Sequence, residues 1–512
     1  MLRRLLDLPL LVLLLGLAGL AMFLPAVHAL VLRDHGLARA FFYVGLLVLI
    51  LAGLLGLARA NATPRNVARN HLVSLALAYA LLPPVLALPL VQPSAGGLSF
   101  GAASFEMLSA FTTTGARVLE GPLKPSVELW RAFVGWLGGL FALVMVFSVL
   151  MPLNLGGVEV ETGRIPGRAS PSTQQITRVA DPSQRMARFA GQIFPVYAGL
   201  TLILWGLLFA AGQDGLVALC HAMSVLATSG ISPLPPGTAL PGAWLGELAI
   251  ALFLIFALSR RPMLRLIGQK VAAPLRRDPE LNLAAVLLGL AALGLFLVGL
   301  AGALGQGAGQ SLHQSAGEAL QALWALLFTC LSFLTTTGFV AGAWDEMLLW
   351  SGMASPDMVL WGLAVIGGGV ACTAGGVKLL RVHALLRYGE QELDRVIHPN
   401  AVARSRSAAG VSRGAGLQGA AMAWVFFMIF GLSIAAFTGA LTMLGLGFEE
   451  SLVLTLSALT TTGPLVEQSG GIAASFAGQG GLTQAVLGAA MVVGRLEALA
   501  VLAILLPENL RG

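Results

Sequence analysis

The chain has 512 residues, of which 57% are hydrophobic and only 11% charged. A soluble domain carries about a quarter charged residues, so the composition excludes a water-soluble globular protein and makes lipid the solvent. The net charge of +6 comes without a compact basic patch interleaved with aromatics, which argues against a nucleic-acid partner.

Arg3 and Arg4 precede an apolar run from Leu8 to about Leu24. Ala26-Val27-His28-Ala29 has the look of a cleavage site, but the run is longer than a signal core and a second span follows directly. It is read as a retained helix. Only helices and closed barrels satisfy the backbone in lipid, and continuous apolar runs of about 20 residues select helices. Ten spans are predicted, at roughly 8–30, 39–58, 71–92, 130–153, 189–211, 243–259, 281–304, 357–380, 416–445 and 482–506. Four shorter apolar segments, near 98–114, 214–229, 318–337 and 448–462, are too brief to span, and each ends in a small polar cluster closed by glycine. That is the pattern of a re-entrant helix followed by an extended loop, tolerated at membrane depth only where protein buries it or water lines it.

Lys and Arg set the orientation. With the N-terminus inside, 24 of the 30 fall in cytoplasmic segments, and the outer segments hold only Arg33, Arg39, Arg117 and Lys124. This places both termini in the cytoplasm and all four short segments on the outer side. Cys220, Cys330 and Cys372 are isolated in apolar surroundings, which points to packing and not to metal binding or a disulfide framework.

Aligned on Gly115, Gly230, Gly338 and Gly463, the short segments read SAFTTTG, SVLATSG, SFLTTTG and SALTTTG. Serine recurs six residues before each glycine (Ser109, Ser224, Ser332, Ser457) and threonine two before (Thr113, Thr228, Thr336, Thr461). Recurrence in fixed phase signals internal duplication. The expected fold is therefore all-α and integral to the membrane: four tandem span–pore helix–filter loop–span repeats around a pseudo-fourfold pore, plus an N-terminal two-helix hairpin. The units are taken as 1–60 for the hairpin and 61–165, 166–275, 276–400 and 401–512 for the repeats. An ion crossing lipid must exchange its water shell for fixed oxygens, and rings of backbone carbonyls do this. Glycine permits the positive φ that turns carbonyls toward one axis, and hydroxyls hold the loop from behind or add ligands. The candidate K⁺-lining residues are Thr112, Thr113, Thr114 and Gly115; Ala227, Thr228, Ser229 and Gly230; Thr335, Thr336, Thr337 and Gly338; and Thr460, Thr461, Thr462 and Gly463.

The eighth predicted span is interrupted by Gly367, Gly368, Gly369, Gly375 and Gly376, with Thr373 between them and Lys378 after them. Each glycine weakens a helix by about 1 kcal/mol relative to alanine. Close helix packing through small residues is one reading; a broken helix whose loop fills the pore below the filter is the other. Arg495 and Glu497 lie inside the last span, and an intramembrane charge is a functional candidate: Arg495 facing the pore would set a barrier to cations, and the alternative is a structural ion pair. Glu106 is taken to anchor the first short helix, and His221 is taken as a packed, hydrogen-bonded side chain.

The segments SFEMLSAFTTTGARV at 104–118, ALCHAMSVLATSGIS at 218–232, GGGVACTAGGVKLLRV at 367–382, HPNAV at 398–402 and GRLEALAVLAILLP at 494–507 resemble the Trk/Ktr/HKT superfamily of K⁺ transporters over nearly the whole chain. The two extra N-terminal spans resemble the Trk-type membrane subunit. The resemblance implies K⁺ uptake across the bacterial cytoplasmic (inner) membrane, a gating loop at 367–376 and a pore arginine at Arg495. It also implies a homodimer with one pore per protomer and a cytosolic RCK/KTN-type nucleotide-binding regulatory subunit, with K⁺ in the filter and no nucleotide on this chain. Four filter glycines go with K⁺ preference in the family. Two departures bear on discrimination: Ala227 lacks the first hydroxyl of the second loop, and Pro464-Leu465 follow the fourth glycine. A Na⁺/K⁺-permeable transporter and the ion-binding subunit of an ATP-driven K⁺ pump are the related alternatives. An enzyme is not expected, since there is no His-Glu-x-x-His and no convincing Ser-His-Asp set.

Overall fold

A computed structural model describes residues 10–59, 67–119, 121, 123–153, 157, 160, 182–235, 243–268, 274–305, 312–353, 356–398, 413–469, 472 and 474–497. The expectations for Arg3 and Arg4, the arginines at 164–178, residues 399–402 of the HPNAV segment and residues 498–507 lie outside them. The described residues form helices joined by turns, without strands. In chain order these include α1 (Leu10–Ala21), α2 (Phe23–Val31), α3 (His35–Arg59), α4 (Val67–Val91), α5 (Phe100–Phe111), α6 (Pro125–Met145), α7 (Pro182–Ala210), α8 (Gly215–Ala227), α9 (Ala243–Leu258), α10 (Arg261–Leu266), α11 (Pro279–Gly305), α12 (Leu312–Leu334), α13 (Trp344–Ser351), α14 (Asp357–Ile366), α15 (Leu379–Ile397), α16 (Arg413–Met443), α17 (Phe448–Leu459) and α18 (Gly481–Leu496). Several are long and apolar enough to cross a bilayer, and the protein is a multi-pass membrane protein.

Burial separates the centre from the periphery. The apolar stretch Pro125–Leu150 is 83% buried, whereas Leu10–Val31 is 28% buried and Pro279–Ala303 is 22% buried. A helix apolar all round that presents its side chains to lipid stays exposed in the absence of water, as expected for the outer ring. Small residues set the closest approaches: a methyl group on Gly19 of α1 would fall 3.0 Å from the Gly45 carbonyl oxygen of α3, and one on Gly45 would fall 3.0 Å from that of Gly19. This backbone-to-backbone crossing closes the N-terminal hairpin. Asp34 starts α3 by accepting the Leu37 amide at 3.1 Å on its carboxylate, an N-cap.

Two expectations need correction. The segment near 318–337 is not too brief to span, because α12 runs from Leu312 to Leu334; its polar opening, LHQSAGE, hides the first turns from an apolar-run count. The eighth span, 357–380, is not one helix: α14 stops at Ile366, and Gly367 takes φ +72° as its C-cap. The chain resumes as a helix only at Leu379, after Lys378 at φ +85°. The broken-helix expectation describes this segment, and a packed continuous helix does not.

Candidate ion filter and intramembrane segment

The four short segments end in one shared geometry. The threonines two residues before the glycines, Thr113, Thr228, Thr336 and Thr461, all lie at φ between +50° and +57°. The amides of Thr114, Ser229, Thr337 and Thr462 return to the carbonyls of Ser109, Ser224, Ser332 and Ser457 at 2.8–2.9 Å. The threonine amides themselves reach Ala110, Val225, Phe333 and Ala458 at 2.9–3.2 Å. This is a Schellman C-cap, with threonine where glycine is usual. A β-branched residue in the left-handed region is strained, and such strain concentrates at functional sites. The recurrent Ser and Thr therefore mark the same cap four times.

The glycines close the loops against one another. A methyl group on Gly115 would fall 1.9 Å from the Ser229 carbonyl oxygen, one on Gly230 would fall 2.3 Å from that of Thr337, and one on Gly463 would fall 2.6 Å from that of Thr114. Gly115, Gly230 and Gly338 take positive φ, from +64° to +82°. Gly463 does not, which corrects the expectation that each filter glycine supplies that conformation; the left-handed residue common to all four loops is threonine. Gly463 instead starts a tight turn with Pro464 and Leu465, its amide donates to the Thr114 carbonyl at 2.6 Å, and the Pro464 ring is the first atom group a methyl on Gly338 would strike, at 2.8 Å. The segments that follow Gly115, Gly230, Gly338 and Gly463 line one cavity, which also contains Arg117, Arg131, Glu467 and Gln468.

Hydroxyls brace three loops alike. Thr112, Thr335 and Thr460 donate to the carbonyls of Leu108, Leu331 and Leu456 at 2.7–3.0 Å and meet the hydroxyls of Thr114, Thr337 and Thr462 at 2.9–3.1 Å. Ala227 lacks this brace, and Ser229 donates to Ser224 at 3.1 Å instead. α6 packs closely here: a methyl group on Gly139 would fall 2.9 Å from Ala227. A second set of tethers stands nine residues before the glycines. Glu106 accepts the Val118 amide at 2.7 Å, His221 meets the Ser232 hydroxyl at 2.9 Å, and Thr329 accepts the Ala341 amide at 3.3 Å; Leu454 holds the fourth position. Glu106 and Arg131 pair at 2.6 Å, and Arg131 reaches Glu128 at 2.9 Å, all buried. Thr329 escaped the sequence analysis, although the nine-residue register shared with Glu106 and His221 would have found it.

Opposite the cavity, residues 367–378 press against the loops. The Gly375 amide donates to the Thr336 hydroxyl at 2.8 Å, and the Thr373 hydroxyl donates to the Leu226 carbonyl, in the last turn of α8, at 3.2 Å. Gly367 and Gly376 back onto each other, each at positive φ. Gly368 and Gly369 approach the carbonyls of Ala257 and Leu258, and the Gly369 amide donates to Ala257 at 2.9 Å. Lys378 donates its ammonium to the Ala374 carbonyl, and Arg495 donates its guanidinium to the Thr373 carbonyl. A second cavity on this side is lined by residues that include Cys372, Ala374, Lys378, Arg495 and Glu497. Glu497 pairs with Arg381 at 2.6 Å. The two charges of the last span thus have separate partners: Arg495 meets the glycine-rich segment and Glu497 meets α15. A methyl group on Gly494 would fall 2.2 Å from the Leu459 carbonyl, just as one on Gly138 would fall 2.1 Å from that of Phe111, so Arg495 stands where the first unit has Gly139.

A family model described as a cation transport protein, TrkH, matches residues 248–509, a little over half of the chain. The Trk system potassium uptake protein TrkH of Salmonella typhimurium is 26% identical over 490 residues, covering 95% of each chain. The Trk system potassium uptake protein TrkI of Halomonas elongata is 29% identical over 450 residues, covering 84% of this chain and 82% of that one. The crystal structure of the potassium transporter TrkH from Vibrio parahaemolyticus covers 100% of both chains with a TM-score of 0.79 at 24% identity, a likeness of fold. On the family match, the full-length relatives and the shared fold, this chain belongs to the TrkH family of cation transport proteins, as a Trk-type membrane subunit.

Proposed function

We propose that the chain takes up K⁺ across the bacterial inner membrane through a pore whose filter is formed by residues 112–115, 227–230, 335–338 and 460–463. The observation that carries this reading is the fourfold C-cap geometry, which brings four glycine-closed loops together between two cavities. Curated relatives named as potassium uptake proteins support the substrate, and carbonyl rings with fixed dipoles supply the dehydration chemistry. Ions in the filter are cargo, and no nucleotide is expected on this chain.

Residues 367–378 act as the gate, seated in the structure against the loops and held by Arg495. The segment runs directly into α15, a helix rich in exposed charge and apolar side chains, which gives a cytosolic nucleotide-binding regulatory subunit a lever on the gate. The distribution of Lys and Arg supports cytoplasmic termini, and the functional unit is a homodimer with one pore per protomer. A Na⁺/K⁺-permeable transporter is the second reading. It is favoured by the fourth loop, where Gly463 departs from the conformation of the other three and Pro464 occupies the mouth.

The test is ion flux in proteoliposomes containing the full chain, with and without the regulatory subunit. Uptake of K⁺ and Rb⁺ over Na⁺ is expected, and removal of residues 368–375 should leave a leaky pore. No flux of any monovalent cation in any regulatory state refutes the pore; reduced flux on deletion refutes the gate.

A further inference from the structure

The glycine-rich segment does more than lie beneath the loops; it uses one of their hydroxyls. Four threonine hydroxyls stand at the equivalent position two residues before the glycines. The Thr228 hydroxyl donates to its neighbouring Ala227 carbonyl at 2.8 Å, and the Thr336 hydroxyl accepts the Gly375 amide at 2.8 Å. Those of Thr113 and Thr461 are buried and have no hydrogen-bond partner. An unpaired buried hydroxyl in a native structure calls for a ligand or a function. Gly375 lies between two of these positions: a methyl group on it would fall 2.1 Å from the Thr460 carbonyl oxygen and 2.5 Å from the Thr461 hydroxyl.

Resting on the pore reading above, we propose that the seated segment and a dehydrated K⁺ ion compete for the same oxygens, so that K⁺ is itself a ligand that unseats the gate. The Gly375 N–H presents a partial positive charge to the Thr336 hydroxyl, the part an arriving cation would play. An ion drawing on the Thr336 hydroxyl, the Thr461 hydroxyl and the Thr460 carbonyl would need the volume that the Gly375 backbone fills. A ligand shifts a two-state equilibrium only by its differential affinity for the two states. Here the difference is close to complete, because the seated state removes the site. At K⁺ ten times above the dissociation constant of the site, the ratio of unseated to seated segment therefore rises about tenfold.

The experiment is amide hydrogen exchange of peptides covering 367–377, in the full chain in nanodiscs, at constant ionic strength in KCl or in N-methylglucamine chloride. K⁺ is expected to raise exchange about tenfold, and N-methylglucamine, too large to enter, sets the baseline. Thr336→Val should raise the baseline and flatten the K⁺ response; Thr336→Ser, which keeps the hydroxyl, should restore both and so separates lost chemistry from lost folding. Exchange that is the same in both salts overturns the competition, as does an undiminished K⁺ response in a folded Thr336→Val variant. Flux in vesicles of the same preparation separates the two readings: K⁺ flux with salt-independent exchange overturns the competition and leaves the pore standing, whereas no flux of any monovalent cation overturns the pore and the competition with it.

Discussion

Replacing Glu106 by Gln removes one charge from a buried cluster while keeping the side chain's shape. Glu106 has two partners, the Arg131 guanidinium at 2.6 Å and the Val118 amide at 2.7 Å. An amide side chain keeps one acceptor oxygen, so one of these donors loses its partner. Arg131 retains Glu128 at 2.9 Å, but the cluster of Arg117, Arg131, Glu106 and Glu128 goes from balanced to net positive. Breaking a buried pair in this way costs about 3–5 kcal/mol. The Val118 bond is a hydrogen bond to a charged acceptor, worth about 1.5–3 kcal/mol, and it holds the loop three residues beyond Gly115. Its loss shifts the balance between tethered and free loop by about 10- to 150-fold. Glu128→Gln is the control, since Glu128 meets Arg117 at 3.5 Å and Arg131 at 2.9 Å without touching the loop backbone. Both variants should melt at lower temperature in detergent, and only Glu106→Gln should lower Rb⁺ preference over Na⁺ in proteoliposome uptake. Equal loss of preference in both would show that charge balance matters and the tether does not; a Glu106→Gln protein with wild-type melting and preference would refute the account.

Gly115→Ser places its Cβ 1.9 Å from the Ser229 carbonyl oxygen, so at least one loop must move by more than about 1 Å, given that ordinary contacts begin near 3.5 Å; relaxed K⁺ over Na⁺ preference is expected in competitive uptake, and unchanged preference argues against a filter role. Arg495→Gln removes the charged donor to the Thr373 carbonyl, weakening the seated segment by about 1.5–3 kcal/mol; flux without the regulatory subunit should rise at least tenfold, and unaltered flux would remove Arg495 from the gate. On the loop before α3, the Lys124 ammonium, hydrogen-bonded at 2.7 Å, and then the Leu37 amide hold the Asp34 carboxyl below its ordinary range. A depressed folded-state value gives stability that is present above about pH 4 and lost as pH falls through the folded-state value. The pair is partly exposed, so Asp34→Asn should cost no more than about 1 kcal/mol at neutral pH, and the melting curves of variant and parent should converge in acid; a gap that persists there contradicts the assignment.

The positions of Gly115, Gly230, Gly338 and Gly463 were legible because duplication repeats them in phase, and the break after Ile366 was legible because glycine density there defeats a helix. The conformation of Thr113, Thr228, Thr336 and Thr461 was not, since a β-branched residue ordinarily argues against the left-handed region. The shared tether of the first three loops was harder to see, because Glu106, His221 and Thr329 are chemically different residues doing one job, each through its own polar atom, and only their nine-residue register links them. Ala227 was legible as a departure, but not its close packing against Gly139, on a helix far away in sequence.

One chain supplies all four loops, and the four are no longer equal. The first carries the charged tether of Glu106 and Arg131, the second a histidine, the third the hydroxyl that meets Gly375, and the fourth the Pro464 turn. In a ring of identical subunits any substitution enters the pore four times at once. Here, on the proposed pore reading, it enters once, so one loop can be altered while the other three keep their geometry.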